Sequence, residues 1–335
     1  LPTVTATATA IRRAVLALLL LAAPAAAADL ELRFPVDCEV GIDCFVQNYV
    51  DVDPGPAARD YTCGPLTYDS HRGTDVRLLD RAAMRRGVAV LAAAAGTVSA
   101  IRDGEADDAV GFATSVAGRE CGNGVWLTHG DGWSTRYCHM RRGSIAVAVG
   151  DTVATGQRLG EVGLSGATEF PHLHLSVHRH GQVVDPFTGH AGTNLRCDAD
   201  TSGGLWAADV ARRLAYRASG LLGAGFAAEV PAKRALEEGR FQDPTVPADA
   251  PALLFWARIF GLRTGDRQAL SLIGPDGVVL AETAVDSDKT QAVAYRYVGK
   301  KRGRPRWPAG RYVGRYTLTR DGTVVVEVER ILVMP

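Results

Sequence analysis

Five side chains far apart in the chain have the types and spacing to do chemistry together. Phe170-Pro171-His172-Leu173-His174-Leu175-Ser176 carries two histidines at i and i+2 among apolar, β-favouring neighbours. Alternate side chains of a strand leave the same face, so both imidazoles project into one space. Two rings aimed at one point are costly to desolvate unless a metal, an acid or a substrate uses them. Upstream, His71-Arg72-Gly73-Thr74-Asp75 sets a histidine and a carboxylate around a glycine. Fully extended, their backbones would stand roughly 13 Å apart, too far to share one ion; Gly73 permits the bend that joins them. Zinc takes histidine nitrogen and carboxylate oxygen at about 2 Å and, when catalytic, keeps one position open. His71, Asp75 and one histidine of the 172/174 pair would supply three ligands and leave the fourth place to water. Tyr137-Cys138-His139 adds a further histidine at a strand end, beside a cysteine whose disulfide could fix it. No His-Glu-x-x-His is present, so a histidine must take the role of base.

The elements that hold these residues read as β structure. Between 71 and 187, short β-like runs alternate with glycine turns: Val88–Leu91, Gly96–Ile101, Gly124–His129, Trp133–His139, Ser144–Val147, Arg158–Val162 and Leu173–Arg179. His129-Gly130-Asp131-Gly132-Trp133 is a hairpin signal. No long helix interrupts the block, so an antiparallel β domain is expected. The acidic stretch Asp103–Asp108 reads as a solvated loop. From Pro251 onward, further β runs with turns at Gly274-Pro275-Asp276-Gly277 and Arg320-Asp321-Gly322 suggest a small immunoglobulin-like sandwich. That tail has neither histidine nor cysteine, so the chemistry lies before it. Its run Lys300-Lys301-Arg302-Gly303-Arg304-Pro305-Arg306 reads as an exposed basic loop. The expected organisation is a signal peptide at 1–28, a disulfide-held lead-in at 29–70, the zinc domain at 71–197, a linker at 198–250 and the sandwich at 251–335. The expected fold class is all-β.

Composition sets the compartment and excludes one class of partner. Lys+Arg and Asp+Glu both number 37, so the basic excess of a nucleic-acid binder is missing. Arg12 and Arg13, the run Ala14–Leu21 and the stretch Ala25–Ala28 follow the basic, apolar, small-residue order of a secretory signal. The apolar run is short for a membrane span, so the mature chain is expected to lack one and to work in the periplasm, cell envelope or medium. Cys38, Cys44, Cys63, Cys121, Cys138 and Cys197 form an even set in an exported chain, which favours disulfides. Of the fifteen connectivities six cysteines allow, the one expected is Cys38–Cys44 as a small local loop, Cys121–Cys138 across neighbouring strands and Cys63–Cys197 tying the domain ends. No Cys-x-x-Cys pair offers a thiolate zinc site.

Taken in order, His-x-x-x-Asp, Tyr-x-His and Ser-Gly-x-x-x-x-Pro-His-x-His resemble the motifs of the M23 family of zinc metallopeptidases, of the lysostaphin or LytM type. The resemblance covers roughly residues 60–190, with Cys138 the unusual choice within it. It implies one zinc per chain on His71, Asp75 and the second histidine of the pair, His174. It also implies His139 and His172 as the catalytic pair and peptide bonds of peptidoglycan as the substrate. A catalytically inactive homologue that binds cell wall or activates a separate amidase is the alternative. The tail domain lies outside the resemblance and is expected to position the enzyme or meet a protein partner. His129 reads as structural, His178 as lying beyond the site on the same strand face, and His190 has no assigned role.

Overall fold

A computed structural model describes residues 2–3, 30–108, 116–241 and 245–335. The segment read as a signal peptide lies, apart from residues 2–3, outside the described residues. The first part of the chain forms β1 (Cys44–Asn48), β2 (Thr74–Leu78), α1 (Arg81–Arg86), β3 (Ala89–Leu91), β4 (Gly96–Arg102), β5 (Asn123–Gly130), β6 (Trp133–Met140), β7 (Thr152–Val153), β8 (Arg158–Glu161), β9 (His172–Arg179) and β10 (Gln182–Val184). The second forms α2 (Ala208–Arg213), β11 (Gly220–Ala227), α3 (Lys233–Glu237), β12 (Ala252–Leu262), β13 (Arg267–Ile273), β14 (Val279–Asp286), β15 (Gln291–Lys301), β16 (Gly310–Arg320) and β17 (Thr323–Met334). The protein is nearly all-β, as the alternating runs imply, and its strand ladders are antiparallel.

The main sheet runs β1-β2-β9-β6-β5-β4-β7, with β10 on the free side of β9; β3 and β8 form a separate ribbon. Alternation along β9 explains its central place. Leu173, Leu175 and Val177 enter the core with Val76, Val125, Leu127 and Tyr137, all nearly inaccessible. His172, His174, Ser176 and His178 therefore share the other face. Burying such aliphatic side chains stabilises the sheet by about 1.5–3 kcal/mol each, so a one-residue register slip of β9 would be opposed strongly. β2 alternates likewise, and the register sets Asp75 opposite His174.

Several segments differ from the reading of the sequence. The lead-in supplies β1, which pairs along β2 and is part of the main sheet. The linker contains β11, which pairs with β12. Both were obscured because Gly220–Ala227 and Cys44–Asn48 are buried at all but one position each and show no period-2 contrast. The run at 144–147 joins no ladder; Ala146 N–H donates to Leu159 O instead. Asp103–Asp108 is no mere solvated loop, since Asp103 and Asp107 accept backbone N–H groups of Gly143, Arg142 and Leu164. Disulfides join Cys38–Cys44, Cys63–Cys197 and Cys121–Cys138, the pairing expected.

The tail is a sandwich of two sheets, β11-β12-β15 and β14-β13-β16-β17. It does not hang free. Phe260 of β12 belongs to the core of the first domain and packs on Phe45 of β1, ring centroids 5.1 Å apart. The buried Arg258 guanidinium donates to Leu79 O, and Arg85 pairs with Glu238 at 2.8 Å.

Candidate active site

His71, Asp75 and His174 bring three ligand atoms to one point. His71 Nε2 lies 3.1 Å from Asp75 Oδ1 and 3.1 Å from His174 Nδ1, and the last two atoms are 2.8 Å apart. Each group is oriented from behind. His71 Nδ1–H donates to Tyr49 O at 2.6 Å, which leaves the Nε2 lone pair facing inward. His174 Nε2 meets Ser176 Oγ at 2.8 Å, and Asp75 Oδ2 accepts Asn48 Nδ2–H at 3.0 Å. Two imidazole lone pairs and a carboxylate oxygen at contact distance repel one another unless a cation or proton lies among them. The donor set of two nitrogens and one oxygen suits zinc, and the backing bonds are the outer partners that metal ligands use. These three residues can therefore hold a metal ion. The six cysteines cannot, being bonded in pairs.

Electrostatics follow from burial and proximity. The Asp75 carboxyl is fully enclosed, which by itself raises its pKa. The charges of His71 and His172 and the bonds from His174 and His71 outweigh this and hold it well below the usual carboxylate range. Burial pulls His71 down, but Asp75 more than reverses the effect and its pKa is raised. The His174 side chain, 15% exposed against 2% for Asp75, is the member open to solvent.

His139 and His172 stand beside this triad, their ring centroids 4.6 Å apart. His139 Nδ1–H donates to Ser165 O at 2.8 Å and His172 Nδ1–H to Phe170 O at 2.9 Å, so each ring turns Nε2 to the site. His172 Nε2 lies 3.6 Å from Asp75 Oδ1. Burial, and then the positive charges of His172 and His174, holds His139 well below the ordinary imidazole value. Burial lowers His172 as well, against the pull of Asp75.

Strand parity alone would send His139 away from this group. Cys138 pairs with His174 and shares its face, so the next residue should point to the core. The ladder from β5 slips here: Val125 faces Tyr137 but Asn123 faces Met140, leaving Cys138 and His139 opposite Gly124. His139 has φ +61°, and this bulge turns its ring toward His172. The Cys121–Cys138 disulfide and the bond from His139 N–H to Cys121 O, 2.8 Å, brace the turn.

The remaining histidines fall elsewhere. His129 bonds Ala95 O and Thr135 Oγ1, consistent with a structural role. His178 lies past Ser176 on the same strand. Burial, Arg136 and His174 depress it to about 4. Asn48, Ser176, Ser165 and Asp107 support the site and were missed from the sequence. Asn48, Ser165 and Asp107 act through hydrogen bonds from distant segments; only the i+2 spacing of Ser176 from His174 was a usable signal.

Residues 69–186 match the model of peptidase family M23. The motif resemblance thus extends over residues 69–186 as a whole. Over 118 residues it is 32% identical to an uncharacterized metalloprotease of Haemophilus influenzae, covering 35% of this chain and 20% of that protein. Over 64 residues it is 39% identical to the peptidoglycan DD-endopeptidase ShyA of Vibrio cholerae, 19% of this chain and 14% of that one. Both matches span a fifth or less of those relatives' own length. Among solved structures, it is similar to the catalytic domain of the antimicrobial peptidase lysostaphin from Staphylococcus simulans. There the identity is 26%, with 38% of this chain and 84% of that domain covered and a TM-score of 0.26. Among the described residues, no helix is long and apolar enough to cross a membrane.

Proposed function

We propose that this protein is an exported zinc endopeptidase that hydrolyses peptide bonds of peptidoglycan in the cell envelope. The observation that carries the reading is the convergence of His71 Nε2, Asp75 Oδ1 and His174 Nδ1 beside two further imidazoles locked through Nδ1. In this reading His71, Asp75 and His174 are the zinc ligands. A zinc ion bound there supplies Lewis-acid polarisation of a carbonyl and lowers the pKa of water toward about 7. His139 and His172 are neutral at pH 7 and present Nε2 lone pairs, so these two atoms exchange protons during hydrolysis. A ring that has taken a proton there becomes a donor to the oxygen on which negative charge develops. The Ser165 and Phe170 carbonyls hold both rings in the tautomer this needs. The peptidoglycan substrate rests on the family match and on the relative named for that bond cleavage.

The test is incubation of the zinc-loaded chain with cell-wall sacculi, reading new amino termini by mass spectrometry. Release that is abolished by a chelator and by His139→Gln with His172→Gln supports the proposal. No new termini from the zinc-loaded protein would sink it and leave the inactive, wall-binding alternative.

A further inference from the structure

A cavity of about 200 Å³ opens beside the candidate site, and its far wall belongs to the other domain. Asp75, His172, Phe170 and Tyr68 line one side, while Leu262 and Arg263 line the other together with the turn at Thr290–Ala292. The two tail-domain turns are tied to one another and to their own strands. Arg263 N–H donates to Asp266 Oδ2 at 2.7 Å, Thr264 N–H to Thr290 Oγ1 at 3.3 Å, and Asp266 is buried against Arg320 at 2.7 Å. The shared core around Phe260 and Phe45 holds this wall at a fixed distance from the histidines.

Arg263 is the unusual member of that wall. Its backbone is fixed and its guanidinium half-buried, yet its Nε is enclosed without a hydrogen-bond partner among the described residues. With Nε shut off from solvent, the terminal Nη1 and Nη2, which have no hydrogen bond among the described residues, are the atoms left to a ligand, and a carboxylate meets a guanidinium edge with two parallel bonds. The carboxylates that line the cavity do not do so. Asp75 is committed to the histidines, and Glu169 forms no ion pair with Arg263 among the described residues. The rest of the lining mixes apolar side chains such as Leu66, Phe170 and Leu262 with neutral polar ones such as Gln47, Thr168 and Gln291, so Arg263 is its cationic group.

We infer that the tail domain forms one wall of the substrate cleft and that Arg263 binds a carboxylate of the peptide, on a residue adjacent to the bond cleaved. Adjacency follows because the cavity includes His172 and Asp75 themselves. The carboxylate can be the chain terminus or a side chain, and both present the same pair of oxygens. This deepens the peptidase reading and rests on it. It makes Arg263 a specificity residue and gives the tail a task separate from wall anchoring.

The test uses the full zinc-loaded chain and fluorescein-labelled synthetic peptides of stem-peptide type. In the set, the terminal carboxyl, the side-chain carboxyl or both are amidated. Binding is read by anisotropy with the His139→Ala variant, and kcat/KM with the otherwise native chain. At least tenfold weaker binding is expected when the relevant carboxyl is amidated, and the terminal and side-chain arms show which source it is. Arg263→Ala should weaken binding of the acid peptide to that of its amide and leave the amide unchanged. Arg263→Lys should restore part of the preference, which a folding defect would not. Equal binding of acid and amide, or a preference that survives Arg263→Ala, overturns the inference. The binding arm decides this even if no peptide is cut, an outcome that would instead overturn the peptidase reading.

Discussion

Gly73→Ala isolates the geometry on which zinc binding depends. A Cβ at Gly73 would lie 2.6 Å from His174 Nε2, 2.7 Å from His174 Cε1 and 2.7 Å from Leu175 O, against an ordinary contact near 3.4 Å. Gly73 is not in the left-handed region, so the effect is steric and involves no backbone penalty. The Leu175 carbonyl is backbone held in the sheet, so relieving its contact shifts the chain at 73, and clearing the ring contact takes a displacement of about 0.8 Å between Gly73 and His174. That exceeds the roughly 0.2 Å within which metal–ligand distances stay productive. The shift also opposes the bond from Ser176 Oγ to the ring. A loss of about 10–100-fold in zinc affinity is expected, the range found when partners that orient ligands are removed. At about 1.4 kcal/mol per tenfold, this amounts to about 1.4–2.7 kcal/mol. With zinc in excess, the loss appears in full in the zinc-dependent part of the stability. At about 2–4 °C per kcal/mol, the zinc-induced rise in Tm should shrink by about 3–11 °C. Overpacking costs the zinc-free protein about 1–3 kcal/mol separately, so the readout is the difference between melts with and without zinc, beside a competition titration. Zinc affinity within threefold of the native chain, with an unchanged zinc-induced rise, would refute the ligand geometry.

Three further outcomes follow from the same structure. Asn48→Ala removes the bond to Asp75 Oδ2 and should weaken zinc binding about tenfold; an unaltered competition titration would count against a supporting role for β1. Because burial depresses His139 and His172, both stay neutral until the pH falls below their folded values, so the acid limb of kcat/KM should lie below about 6.5. The unfolded chain takes up protons near 6.5 and the folded pair does not, so stability is complete above that pH and declines below it; an acid limb above 6.5 contradicts the burial argument. Asp185 is held up to about 6 by burial and folds with more protons bound than the unfolded chain between about 4 and 6. Stability should therefore fall as pH rises through that window, by up to about 3 kcal/mol; Asp185→Asn should flatten the dependence in urea titrations, and an unchanged slope would reject the shift.

How much of the site was legible in the sequence depended on the range of the forces that set each residue. His172 and His174 sharing a face is a property of any strand, so the i+2 spacing sufficed. Asp75 could be linked to His71 only by assuming a bend. The structure has that bend, but glycine is needed there for another reason, the closeness of the His174 ring across the ladder. β1 and β11 escaped notice because strands buried on both faces lose the alternation by which strands are read. The six cysteines paired as expected, but spacing favoured only the local Cys38–Cys44 and Cys121–Cys138 loops, and the fold alone brings Cys63 to Cys197, 134 residues apart.

The sequence by itself determined the residue types, their order and the strand periodicity: a β domain with a His-Asp-His set, two spare histidines, three disulfides and a second β domain. Those are local properties, carried by side-chain chemistry and the period of the backbone. Tertiary structure alone decided that Asp75 stands opposite His174, because antiparallel register is chosen by core packing between distant segments. It alone turned His139 to the site, through a bulge that strand parity forbids. It alone brought Arg263 from the tail to the cleft, since the contact of Phe260 with Phe45 is long-range burial that no motif encodes.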